Sequence, residues 1–143
     1  MTRKLASVLL YAVAATMTAS GLRYIFIPTL LPYHQRYVDV PAGDMPPHVI
    51  PLFLLIYRGA GWAQISIAAT LFMVTKWFIG GGDRRGWWLV AVMMGLTLIP
   101  LLFITLAVGT YTPWWVIALL LAVVSVALVL AWPATSAASA RQA

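Results

Sequence analysis

The sequence predicts an all-α fold, a four-helix transmembrane bundle, and three observations carry that prediction. Hydrophobic residues make up 63% of the 143 residues and charged residues only 8%. A soluble domain carries roughly 25% charge, so this chain cannot cover itself with a solvated surface. Four apolar stretches each approach or exceed the roughly 20 residues that a helix needs to cross a bilayer. Proline, glycine and charge punctuate the gaps between them, as expected where helices stop. One transmembrane domain over residues 1–133 accounts for nearly the whole chain, and the small, polar residues 134–143 read as a disordered tail.

The first span covers about residues 5–27, LASVLLYAVAATMTASGLRYIFI, and Pro28 ends it. A charged start, an apolar middle and small residues would also suit a cleaved signal peptide. The apolar run continues past any such site to Ile27, which favours an uncleaved first helix. The second span, about 49–79, is longer than a bilayer requires and is expected to tilt or to project. The third, about 87–108, contains Pro100, which removes a backbone donor and is expected to kink it. The fourth, about 113–132, starts at Thr112-Pro113, which reads as a cap residue followed by proline at the first helical position. Close helix contacts are expected at small residues such as Ala15, Ala19, Gly61, Ala118 and Ala122.

Gly80 to Gly86, GGGDRRG, reads as a tight charged turn, and Gly109 to Pro113, GTYTP, as a short hairpin. Only the first connection is long. Residues 28–48, PTLLPYHQRYVDVPAGDMPPH, carry five prolines and are expected to hold no more than a turn or two of helix, in YHQRYV. A connection of that length in so small a chain is often functional.

Charge sets the topology. The net charge is +6, but the basic residues are scattered through apolar sequence and do not form a nucleic-acid-binding stripe. With four spans, Arg3, Lys4, Lys76, Arg84, Arg85 and Arg141 share one side, against Arg36 in the other loops. The positive-inside rule then places both termini in the cytoplasm and the long loop outside a bacterial inner membrane. Trp77, Phe78, Trp87, Trp88 and Trp132 would form the inner aromatic belt, and Tyr24, Tyr111, Trp114 and Trp115 the outer one.

The residues able to carry chemistry are few. Asp39, Asp44 and Asp83 are the acids, none of them inside a predicted span, and glutamate and cysteine are absent. Proton-coupled carriage relies on an ionisable carboxylate or histidine within the membrane, which this pattern lacks. Cysteine chemistry is excluded outright. His34 and His48 sit in or beside the long loop, and with Asp39 and Asp44 they match no metal-ligand spacing, so no metal is expected. No base lies beside a serine or threonine in the spans to activate it, so an enzyme is the least favoured class.

The arginines remain. Arg23 lies near the outer end of the first span, within reach of the headgroups. Arg58 lies nine residues inside the second, on the order of 13 Å deep if the whole helix is submerged, and so is expected to face the bundle or a wet crevice. Tyr57, Gly61, Gln64 and Ala68 share one helical face, with Arg58 on its flank. The expected partners of Arg58 are Asp39 or Asp44, folded back from the loop, or an external phosphate, carboxylate or quinone oxygen.

Arg23-Tyr24, Pro32-Tyr33-His34-Gln35 and Arg58-Gly59-Ala60-Gly61 together resemble a group of small bacterial four-helix membrane proteins, distantly DoxX-like in size and span count. The resemblance covers residues 20–65 and implies a fold more than an activity, since the group is largely uncharacterised. The association of some DoxX-type proteins with quinone-linked redox systems adds a quinone to the ligands it implies. Two functional expectations result. One is a non-catalytic, accessory or lipid-interacting membrane protein held together by an arginine cluster, with membrane lipid, a membrane-protein partner or a second copy of itself as its associates. The other is a binding or transport protein for an anionic or quinone-like amphiphile, held in an outward crevice by Arg23, Tyr33, His34, Tyr57, Arg58, Trp62 and Gln64.

Overall fold

A computed structural model describes residues 2–109 and 112–132. Among them are five α-helices and no strand: α1 (Thr2–Phe26), α2 (Pro32–Val38), α3 (Val49–Val74), α4 (Arg84–Val108) and α5 (Trp114–Leu130). α3 continues through one π-helical turn, Thr75–Ile79, giving 31 residues of unbroken helix. Three helices, Thr2–Phe26, Val49–Ile79 and Arg84–Val108, are long and apolar enough to cross a membrane, while α5 is apolar but has 17 residues. The tail and Thr110-Tyr111 lie outside the described residues.

Gly21 and Gly61 set the closest helix approach. A Cβ built on Gly61 would lie 2.5 Å from the Gly21 carbonyl oxygen, and one on Gly21 would lie 2.7 Å from the Gly61 carbonyl oxygen. Only glycine at both positions lets the two backbones meet. The neighbouring pairs fix an antiparallel register: Tyr24 meets Tyr57 edge-on, Tyr11 meets Phe72 at 5.0 Å between rings, and the Arg3 guanidinium packs over Gly82. α1 packs most extensively on α3 and next on α5; α4 packs on α5 and barely touches α3.

The core is confined to one half of the bundle. On α1 it comprises Ala6, Leu10, Val13, Ala14 and Met17; on α3 and its π turn, Ala68, Leu71, Val74 and Ile79. On α4 the buried positions are Gly86, Val90, Met94 and Leu98, one per turn, and then stop. On α5 they begin only at Val124. At that closed end the Trp87 indole Nε1–H donates to the Leu128 carbonyl at 2.8 Å, and its ring stands edge-on to Trp88 and Trp132. Towards the other end α1, α3, α4 and α5 leave a space between them.

Hydroxyls along the helices bond locally. Thr16, Thr18, Ser66, Thr70, Thr97 and Ser125 each donate to the carbonyl four residues back. Such bonds let a polar side chain face an apolar medium without an unsatisfied proton.

Several expectations need correction. Thr112 does not cap α5: Pro113 occupies that position, and the buried Thr112 hydroxyl donates instead to the carbonyls of Thr105, at 2.6 Å, and Gly109, at 2.8 Å. Its bonds tie the α4–α5 connection to the last turns of α4. Ala15, Ala19 and Ala122 are exposed, while Gly21, Ala6, Ala14, Ala68 and Ala127 do the packing, because residue size alone does not reveal which face turns inward. α4 does contain Pro100, as expected of the third span. It also starts three residues before the expected Trp87, because Asp83 caps it, accepting from the Arg85 backbone N–H at 2.7 Å.

Candidate ligand-binding site

The half of the bundle away from the tryptophan cluster holds a cavity of about 520 Å³, within the size range of small-molecule sites. α1 contributes Thr16, Ala19, Ser20, Arg23 and Tyr24; α3 contributes Gln64. Leu101, Ile104, Thr105 and Val108 of α4 and Val116 and Ile117 of α5 form an apolar wall. Across one end lies a cap built from the segment between α1 and α3, which presents Leu31, Tyr33 and His34.

The cap is held by its own small core and by a hydrogen-bond latch. Leu30, Leu31 and Met45 bury against Tyr57, with Val49, Ile50, Phe53 and Leu54 of the first turns of α3 packed around them. Proline at the first position favours α2, and its His34 and Gln35 N–H groups both bond to the Leu31 carbonyl. Asp39 ends the helix in the left-handed region at φ 51°. Tyr57 is only 2% exposed. Its hydroxyl accepts from the Leu31 backbone N–H at 3.5 Å and pairs with His34 Nδ1 at 2.5 Å. The Tyr24 and Tyr33 hydroxyls pair at 2.8 Å.

Burial pushes the His34 imidazole below its ordinary pKa, so the neutral ring is favoured in the fold. Burial, followed by the Tyr24 hydrogen bond, holds the Tyr33 phenol well above its usual range, and it stays protonated. The pH dependence follows from His34. Its neutral form stabilises the folded cap above the unfolded pKa of about 6.5, and that contribution is lost as pH falls below it, because the unfolded chain then binds the extra proton. The protection factors at Leu31 and Tyr33, measured relative to the intrinsic exchange rate at each pH, are expected to fall as pH drops below about 6.5, and His34→Gln to flatten that profile. A profile identical in the variant would show that His34 is not the titrating group.

The structure therefore brings together Arg23, Tyr33, His34 and Gln64 on the cavity wall, with Tyr57 directly behind His34. It does not bring Arg58 or Trp62 there. Both are exposed on the outer side of α3, Trp62 at 62%. With Tyr57, Gly61 and Ala68 turned inward, Arg58 is rotated about 100° away by its one-residue offset. Nor do the expected acids reach it: among the described residues no ion pair joins Arg58 to Asp39 or Asp44. Asp39 lines a separate shallow depression with Pro32, Gln35 and Arg36, and Asp44 belongs to a 3₁₀ turn, Ala42–Asp44. His48 is exposed at the start of α3. No group of three or more His, Cys, Asp or Glu suited to a metal occurs among the described residues.

Comparison with family models, with curated proteins and with solved structures gives no match. The site is thus assigned by its own geometry alone. The sequence does not by itself point to Ser20, Tyr24 or the α4–α5 wall as parts of it. Tyr24 carries a usable signal, since Thr16, Ser20 and Tyr24 recur every four residues and so place three hydroxyls on one face of α1. The wall carries none, because its residues resemble any lipid-facing leucine or isoleucine.

Proposed function

We propose that this is a small, non-catalytic, multi-pass membrane protein that binds an amphiphile, anionic or quinone-like, in its capped cavity. The observation that carries the reading is the division of the cavity. Arg23, Tyr24, Tyr33 and His34 gather at the capped end, and Leu101, Ile104, Val116 and Ile117 line the wall of α4 and α5. A polar head beside an apolar chain is the ligand shape that complements such a division.

The positions of the cations support placement in a bilayer, with α5 as a short fourth span. In the antiparallel register set by Gly21 and Gly61, Arg23 and Arg58 stand within about 2 Å of the same height. Arg3 lies twenty residues from Arg23, and Lys76 eighteen from Arg58. At 1.5 Å per residue these separations are about 30 and 27 Å, close to the thickness of a bilayer's hydrocarbon core. Arg58 then marks a headgroup plane, and the first turns of α3 project beyond it into the cap. The positive-inside rule puts Arg3, Lys4, Lys76, Arg84 and Arg85 on the cytoplasmic side and the cap outside. Exposed Trp77, Trp88 and Trp132 near one set of helix ends, and Trp114 and Trp115 near the other, suit the two interfaces.

The test is native mass spectrometry of gently solubilised protein. Wild type is expected to retain a lipid or quinone adduct, and Leu101→Trp, which fills the apolar wall, to lose it while keeping its helix content. No adduct on wild type after incubation with lipids and quinones, or one kept by Leu101→Trp, would remove the reading.

A further inference from the structure

Resting on that reading, we infer that the bound head group is an oxyanion, a phosphate or carboxylate, held by Arg23 together with donors from Tyr24, Tyr33 and His34. The donor inventory at the capped end carries this. Tyr57 accepts the Leu31 N–H and pairs with His34 Nδ1; in the tautomer in which its own proton goes to Nδ1, Nε2 of the neutral ring is left as the N–H donor. The paired Tyr24 and Tyr33 hydroxyls use one proton between them, and the second remains to donate. Arg23 adds a guanidinium, which has donors and no acceptor.

Nothing opposes this set. No Asp or Glu is among the described residues that line the cavity. Three of the deeper hydroxyls are committed to backbone carbonyls, Thr16 to Ala12, Thr105 to Leu102, and Thr112 to Thr105 and Gly109, while Ser20 and Gln64 add further polar groups to the wall. A site with one fixed cation, several convergent donors and no carboxylate is complementary to an acceptor-only head. A neutral alcohol or carbonyl head would accept fewer of these protons.

Isothermal titration of detergent-solubilised protein with four probes separates this inference from the reading beneath it. The probes are hexadecyl phosphate, palmitate, hexadecanol and inorganic phosphate. At least one of the two chain-bearing anions is expected to bind about tenfold or more tightly than hexadecanol, the factor one charge-assisted hydrogen bond supplies. Arg23→Gln is expected to erase that margin. The stronger of the two anions identifies the oxyanion. Hexadecanol binding as tightly as both anions, in a manner blocked by Leu101→Trp, would overturn the oxyanion and spare the cavity. Inorganic phosphate matching hexadecyl phosphate, or no chain-bearing probe responding to Leu101→Trp, would overturn the amphiphile reading itself.

Discussion

Gly61→Ala is expected to destabilise the bundle by about 2 kcal/mol or more, the cost of overpacking a well-packed contact, although alanine is the better helix former. The added methyl would meet the Gly21 carbonyl oxygen at 2.5 Å and the Ile25 backbone nitrogen at 3.1 Å. Backbone cannot swing aside as a side chain can, so α1 and α3 must separate along their whole seam. Gly59→Ala is the control. A Cβ there meets nothing within 4 Å, and the change is expected to be neutral or to stabilise by up to about 1 kcal/mol through helix propensity. Thermal unfolding in detergent followed by circular dichroism compares the two. Equal midpoints would show that the two helices are free to move apart, and would sink the tight-seam account.

Tyr57→Phe is expected to release the cap without unfolding the bundle. The ring remains to pack on Leu30, Leu31 and Met45, but the Leu31 N–H and His34 Nδ1 lose their shared partner. Each buried polar group left unpaired costs about 1–3 kcal/mol, and the cap has only four buried residues to set against that cost. Amide exchange should rise at residues of α2 while the α1, α3 and α4 core amides, around Leu10, Leu71 and Met94, stay protected. Unchanged protection in α2 would mean that apolar packing alone holds the cap.

Much of the architecture is legible because the sequence is written in long apolar runs. Hydropathy places the second long helix at residues 49–79, where α3 and its π turn lie, and helical spacing turns Tyr57, Gly61, Gln64 and Ala68 to one face, the face that packs inward. The first connection does contain a short helix at Pro32–Val38, and Gly61 is indeed a contact residue. Depth is harder to read. Arg58 looks buried only if all of α3 is submerged, and hydropathy does not distinguish helix packed under a protein cap from helix in lipid. The cavity wall is illegible for a related reason. Whether Leu101 or Ile117 faces lipid or a void depends on how far α4 and α5 splay, which is set by contacts remote from both in the chain.

The closed end of the bundle also gives it leverage. Trp87 is fastened to Leu128 and flanked by Trp88 and Trp132, whereas beyond Leu98 no position on α4 is buried. From Trp87 to Val108 the helix is an arm of about 31 Å. A tilt of about 5° at the tryptophan pivot would move its far tip by roughly 3 Å, close to two residues of helical rise. The cavity wall thus hangs from contacts at the other end of the bundle: the buried positions of α4 run from Gly86 to Leu98 and those of α5 are Val124 and Ala127, none of them where the two helices line the cavity.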